Sequence, residues 1–231
     1  MNKNVSQKTN GPTWGLIGTS IWGILIIFLY LIVQIAGMLI FTFVTYGNTL
    51  RENIELTKYN GLSLSFDIFI MFIICNLAIW IVIKLKKGSD LKNYLAITIP
   101  DAKKIYFWIL MAIFLATFSD LLSLRLGRPI NPEFMLNIQI QNTQVWIIFL
   151  AAIFAASVFE EIFFRGFLFS GLSTTFLGSV GAIITTAIAW AALHFQYDLF
   201  DRFNICYWAI TGFSTTENEL HNNNYFNAFY Y

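Results

Sequence analysis

Charged residues are scarce in this chain, and their scarcity decides its class. Only 12% of the 231 residues are charged, whereas 57% are hydrophobic. Because about a quarter of the residues in a soluble domain are charged, this composition excludes a soluble domain and indicates a membrane protein, with the lipid bilayer as its surroundings. The net charge of +1 leaves no basic surface that could neutralise several phosphates, so no nucleic-acid partner is expected.

Cysteine is also rare, and the two cysteines show no pattern that would bind a metal. Cys75 and Cys206 both lie in apolar stretches. Free cysteine behaves as a small hydrophobic residue in such surroundings. We therefore expect two buried thiols and no disulfide framework.

Long apolar runs fill most of the chain. A helix needs about 20 apolar residues to cross a hydrocarbon core of ~30 Å. The runs predict an all-α fold, a polytopic transmembrane helical bundle with about five full spans and a short C-terminal apolar segment at 203–213. The five runs cover residues 14–45, 66–83, 105–122, 145–171 and 180–197. The first run is too long for a cleavable signal peptide, so the mature protein is expected to keep its N-terminus.

The lysines predict the orientation of the bundle. Six of them crowd the connection between the second and third runs: Lys84, Lys86, Lys87, Lys92, Lys103 and Lys104. By the positive-inside rule this loop is cytoplasmic, and so is the N-terminal tail, residues 1–13. The sequence therefore predicts a multi-pass protein of the cell membrane. Its abundance of Ile, Asn, Lys and Phe is typical of an A+T-rich bacterial genome.

The fourth run contains the ionisable residues Glu160, Glu161 and Arg165. Each costs roughly 2.5 to 3.5 kcal/mol at membrane depth, so a function or tight pairing is needed to explain them. On a helix Glu161 pairs with Arg165 at i, i+4, while Glu160 points to a different face. We expect this helix to continue unbroken to about Gly171. Glu160 is then a candidate base for a water molecule, and an ion-pair network that only locks the helices is the alternative.

His194, in the fifth run, is the second singular residue. Small residues before it allow close helix packing, Trp190 lies one turn earlier, and Asp198 follows one turn later and could orient the imidazole. Glu160 and His194 are predicted to face one polar cavity between the fourth and fifth spans. Counted from opposite membrane faces both lie ~22 Å deep, so tilt or a shift must bring them together. A helix–helix hydrogen bond is the alternative role of His194.

These two motifs resemble a known family. Glu-Glu-x-x-x-Arg, continued as Phe-Arg-Gly-Phe-Leu, and Trp-x-x-x-His about thirty residues later are similar to the CPBP family of CAAX prenyl-proteases and bacteriocin-processing enzymes. The resemblance is strongest over residues 145–200, the protease-like core. It implies peptide-bond hydrolysis by a water that Glu160 and His194 activate, with Glu161 and Arg165 in support.

The resemblance leaves the cofactor open between zinc and none, because members of the family have been described both as metalloproteases and as glutamate-type proteases. A metal would take Glu160 and His194 as ligands. Two ligands are fewer than the three protein ligands usual at a catalytic zinc.

The tail departs from the family. A third motif, typically His-x-x-x-Asn, is missing, since His221 is followed four residues later by Tyr225 in a polar stretch. Codons compatible with residues 220–229 can encode an apolar segment with a histidine when read one nucleotide later. The hypothesis is that 203–231 is an atypical, truncated or frameshifted tail after a transmembrane domain at 14–202. On that hypothesis this copy cleaves peptides poorly or not at all.

Three functions remain open from the sequence. The favoured one is an intramembrane endopeptidase that acts on a peptide or membrane-protein substrate. The second is a non-catalytic bacteriocin-immunity or membrane scaffold protein, in which the polar cluster only holds helices together. The third is a small proton-coupled transporter, in which buried Glu and His residues relay protons. Internal repeats or matching broken helices would favour transport, and the sequence shows neither.

Overall fold

The computed structural model describes residues 12–47, 50–95, 102–128, 136–138 and 145–194. The predictions about Asp198, Cys206 and the tail lie outside them. Helices account for the regular structure of these ranges, and no strand occurs among them, which confirms the all-α fold. The helices are α1 (Gly15–Tyr46), α2 (Leu50–Lys58), α3 (Gly61–Leu85), α4 (Leu91–Tyr94), α5 (Ala102–Arg125), α6 (residues 145–173) and α7 (Gly178–Leu193).

Three helices in the described part of the chain are long and apolar enough to cross a membrane. They are α1, α3 and residues 146–173 of α6. α7 is apolar but has 16 residues, a length of about 24 Å, which is less than the hydrocarbon core. The helix ends at Leu193, before the predicted end at residue 197, because the backbone of His194 is not helical, with φ −92° and ψ 46°. The predicted total of five full spans is therefore not confirmed.

α3 begins at a polar N-cap and packs along α1, with a polar side chain at one close contact. The side chain of Asn60 begins α3 by accepting hydrogen bonds from the backbone N–H groups of Leu62 and Ser63 at 3.0 and 3.1 Å, the usual N-cap arrangement. At the other helix, a Cβ on Gly37 would lie 2.2 Å from Asp67 Oδ1. Only glycine therefore allows α1 to approach α3 this closely.

α1 also packs against α6, and the two run in opposite directions. Near the start of α1, Thr19 contacts Gly171, and a Cβ on Gly171 would lie 2.0 Å from the Oγ1 atom of Thr19. Further along α1, Tyr30 stacks on Phe159, which comes earlier in α6. Small residues permit such close packing of membrane helices by van der Waals contact.

Cys75 of α3 is a buried free thiol, as predicted.

A column of stacked aromatic rings forms the centre of the core. Phe159, Phe163 and Phe167 follow one another along α6 at four-residue spacing, with ring centroids 5.7 and 6.4 Å apart. Tyr30 of α1 stacks on the first ring at 6.0 Å, and Tyr94 of α4 stacks on the last at 5.8 Å. The column ties α1 and α4 to α6. It thereby fixes the rotation of α6 and the direction in which its glutamates point.

Candidate active site

α6 carries the glutamate pair in the middle of an unbroken helix. The helix continues through Arg165 and ends at Ser173, which confirms the predicted continuation. Two of its segments, Ala151–Ala156 and Glu161–Leu168, have π-helical rather than α-helical winding. Nothing in the residue pattern indicated this winding. π-Helical turns are rare, and they occur frequently at functional sites.

Glu161 and Arg165 form an ion pair on the outer side of α6. Arg165 Nη1 donates to Glu161 Oε1, and the side chains are 35% and 55% exposed for Arg165 and Glu161 respectively. This confirms the predicted i, i+4 pairing. Neither residue lines the cavity described below.

Glu160 is partly buried and faces α7 instead. The indole Nε1–H of Trp190 donates a hydrogen bond of 2.9 Å to Glu160 Oε2. A buried indole N–H usually finds an acceptor, and a carboxylate can accept at both of its oxygens. The bond therefore joins α6 to α7 and occupies one carboxylate oxygen.

His194 lies at the end of α7, next to Trp190. Its Nδ1 is 2.8 Å from the backbone carbonyl oxygen of Trp190, and the two rings are 4.3 Å apart between centroids. The predicted packing of Trp190 against His194 is confirmed. Because a carbonyl oxygen can only accept, Nδ1 donates, and Nε2 of the neutral ring is then an acceptor.

The hairpin of α6 and α7 explains how these groups meet. Measured from the turn that joins the two helices, Glu160 lies about 20 Å before Ser173, and Trp190 lies about 18 Å after Gly178. Trp190 is thus level with Glu160. His194 lies one turn further, and it reaches the same region because the helix ends there. The depths predicted from sequence were those of Glu160 and His194. The residue that contacts Glu160 is instead Trp190.

A cavity of about 650 Å³ opens beside this cluster, and Glu160 and His194 both line it. Its size is that of a typical small-molecule or peptide side-chain pocket. α1, α3 and α6 supply most of the wall, and most of their contributing residues are aliphatic or aromatic. Glu160 and His194 therefore face one cavity, as predicted. The cavity wall is mainly apolar, so the prediction of a polar cavity between the fourth and fifth spans is wrong on that point. Its polar lining residues, apart from the two named, are Tyr30, Gln34, Lys58 and Tyr59.

Comparison with known families supports the reading of these motifs. Residues 142–216 match the family model Rce1-like, described as type II CAAX prenyl endopeptidase Rce1-like. This segment is similar to that family, and we refer to it as the Rce1-like segment. It contains Glu160 and His194, and it confirms the predicted resemblance to the CPBP family. No curated protein and no solved structure matches the chain.

The described part of the Rce1-like segment does not provide a full set of metal ligands. Within the residues that the structure describes, no three His, Cys, Asp or Glu side chains come together as a metal site. Catalytic zinc usually has three protein ligands, and Glu160 and His194 supply two. The steps proposed below are therefore derived for side chains of the protein alone.

Two contributors to the site were missed by sequence reasoning. Trp190 was expected to pack on His194, and its hydrogen bond to Glu160 was not foreseen. An N–H donor one turn before the histidine was the available signal, since a carboxylate in an apolar helix needs such a donor. Tyr30 lies far from the Rce1-like segment in sequence, and nothing in its local pattern marked it.

Proposed function

We propose that this chain is a membrane-embedded endopeptidase in which Glu160 activates the attacking water. The observation that carries the proposal is the arrangement of Glu160. Its carboxylate is fixed at one oxygen by the Trp190 indole at 2.9 Å, and it lines a large cavity together with His194. The Rce1-like match over residues 142–216 supports a CAAX-type protease at the level of the family.

The reaction needs a base, an acid and a fixed geometry. Glu160 Oε1, the oxygen that Trp190 does not bind, takes a proton from water while the water oxygen attacks the carbonyl carbon of the peptide. The tetrahedral intermediate then breaks the C–N bond, and Glu160 returns the proton to the leaving amine. A positioned base of this kind typically contributes 10²–10⁴-fold to the rate.

His194 assists by orienting the water. With Nδ1 directed at the Trp190 carbonyl, the Nε2 atom of the neutral ring can accept a second hydrogen bond from the water. Trp190 holds both partners, since its indole binds Glu160 and its ring and carbonyl contact His194. We assign Trp190 as a positioning residue, and Glu161 and Arg165 as an ion pair that supports α6.

The substrate class follows from the cavity wall. Aliphatic and aromatic side chains dominate it, so it favours an apolar peptide or a segment of a membrane protein. We further propose the orientation that the lysines predict, with the N-terminus in the cytoplasm. In that orientation the protein is a multi-pass enzyme of the cell membrane.

Purification of the full chain and a peptide-cleavage assay test this function. A mixture of apolar peptides is incubated with the protein in detergent and in proteoliposomes, and products are identified by mass spectrometry. Glu160→Gln should abolish cleavage and leave the amount of folded protein unchanged. Asp120→Asn on α5, an exposed acid outside the cavity, is the matched control and should cleave normally.

The scaffold alternative predicts a different outcome. If Glu160 only joins α6 to α7, Glu160→Gln should lower the thermal stability and any cleavage should persist. An absence of cleavage by the unmodified chain under all conditions would contradict the proposed function.

A further inference from the structure

A tyrosine from outside the Rce1-like segment lines the cavity of the candidate active site. Tyr30 of α1 lines the same cavity as Glu160 and His194. It is partly buried. No hydrogen bond joins Tyr30 to another of the described residues, so its O–H group is available to a molecule in the cavity.

The ring of Tyr30 is held in place by the helix that carries Glu160. It stacks on Phe159, with centroids 6.0 Å apart and ring planes only 6° from parallel. Phe159 in turn stacks on Phe163, which is buried in the aromatic column. Because Phe159 directly precedes Glu160, the stack sets the position of the Tyr30 ring relative to the carboxylate. The hydroxyl is thereby preorganised.

Peptide hydrolysis needs a hydrogen-bond donor to the carbonyl oxygen of the substrate. Glu160, His194 and Trp190, the groups assigned to the reaction so far, do not supply one. The carbonyl oxygen becomes negatively charged when water attacks, and one or more donors must lie 2.7–3.1 Å from it. The Trp190 indole is already bonded to Glu160, and the His194 Nδ1 atom to a backbone carbonyl. Tyr30 carries a hydroxyl that can donate, and it comes from the α1 side of the cavity.

We infer that the Tyr30 hydroxyl donates a hydrogen bond to the carbonyl oxygen of the scissile peptide bond and stabilises the oxyanion. The inference rests on the proposed function. Water loses its proton to Glu160, the water oxygen bonds to the carbonyl carbon, and the π electron pair of the C=O bond moves to the oxygen. Tyr30 keeps its proton and only donates to that oxygen. When the C–N bond breaks, the pair returns and the amine receives the proton from Glu160.

Tyr30→Phe is the decisive variant, because it keeps the stacked ring and removes only the hydroxyl. Loss of one oxyanion donor typically lowers kcat by 10²–10³-fold. We expect a fall in kcat of about 100-fold with KM changed less than about twofold, and an unchanged thermal unfolding temperature. A kcat within about threefold of the unmodified chain would overturn the inference and leave the proposed function intact.

Tyr94→Phe is the matched control. Tyr94 stacks at the opposite end of the same aromatic column, on Phe167 at 5.8 Å, and it is not among the residues that line the cavity. Removing its hydroxyl should leave kcat unchanged. An equal loss of kcat in both variants would mean that removing a tyrosine hydroxyl anywhere in the column lowers kcat without an oxyanion contact, and it would overturn the inference.

A second measurement does not depend on cleavage. A leucine-rich peptide in which one amide is replaced by a ketomethylene group cannot be hydrolysed, and its ketone stretch is resolved from the amide bands in the infrared spectrum. A hydrogen bond from Tyr30 should lower the frequency of this stretch in the bound peptide, and Tyr30→Phe should raise it again. Identical frequencies in the two proteins, or no binding of the peptide, would overturn the inference. A shift in a chain that cleaves nothing would support the donor and contradict the protease function.

Discussion

The adjacent residues Glu160 and Glu161 lie on two sides of α6 that have different surroundings. We call the side that faces α7 and the cavity the inner side, and the exposed side with Glu161 and Arg165 the outer side. On the inner side Glu160 is partly buried, accepts the Trp190 indole hydrogen bond and lines the cavity. On the outer side Glu161 is 55% exposed and pairs with Arg165 of the same helix. The residue type and the stretch of sequence are the same. The difference therefore comes from the neighbouring helices.

The comparison separates a local interaction from a tertiary one. The ion pair of Glu161 needs only the spacing within one helix. The environment of Glu160 needs α7 for the indole, the end of α7 for His194, and α1 for Tyr30 and part of the cavity wall. Changes on the inner side should consequently affect both packing and activity, whereas changes on the outer side should affect stability slightly.

The largest effect on stability is expected from Phe163→Ala on the inner side. Phe163 is 1% exposed and contacts the rings of Phe159, Phe164 and Phe167. Its removal leaves a cavity in the aromatic column, which we expect to lower the free energy of unfolding by about 3 kcal/mol. Reversible unfolding in mixed detergent micelles measures this change.

Phe154→Ala on the same helix is the control for that prediction. Phe154 is 62% exposed, so the loss of its ring leaves no enclosed cavity. We expect its free energy of unfolding to change by less than about 1 kcal/mol. Equal losses for the two phenylalanines would contradict the distinction between the inner and the outer side of α6.

Trp190→Phe is expected to have an intermediate effect. The variant keeps an aromatic ring beside His194 and removes the donor to Glu160, and a hydrogen bond to a charged group contributes about 1.5–3 kcal/mol. We expect kcat to fall by about tenfold, because the carboxylate is no longer held in one orientation. Steady-state kinetics measure it. Trp80→Phe, at a half-exposed position on α3, should have no effect on kcat, and a similar fall there would contradict the role of the indole.

Local features of the fold were predictable from sequence, and features that need several helices were not. The all-α fold, the unbroken helix through Arg165 and its pairing with Glu161 depend on apolar runs and on i, i+4 spacing. The Trp190 hydrogen bond and the place of Tyr30 depend on which faces of α1, α6 and α7 meet. A single sequence does not specify those faces when apolar residues surround every helix.

The length and winding of the helices were the other source of error. The π-helical winding over Glu161–Leu168 was not predicted, because a period of 3.6 residues was assumed for α6. The fifth run was predicted to continue to residue 197 because apolar residues do, yet α7 ends at Leu193. That ending brings the His194 imidazole to the Trp190 carbonyl. The roles of Glu160 and His194 in catalysis stay predictions.

The smallest effect should come from the ion pair on the outer side of α6. Exposed or partly exposed pairs at i, i+4 contribute only about 0.3–0.5 kcal/mol, because water and side-chain entropy offset the attraction. A double-mutant cycle with Glu161→Gln, Arg165→Gln and the combined variant isolates this coupling. We expect about 0.5 kcal/mol from unfolding measurements and a kcat lowered less than about threefold in each variant. A coupling above 2 kcal/mol, or a loss of activity as large as that of Glu160→Gln, would mean that the two sides of α6 act as one site and would break the comparison.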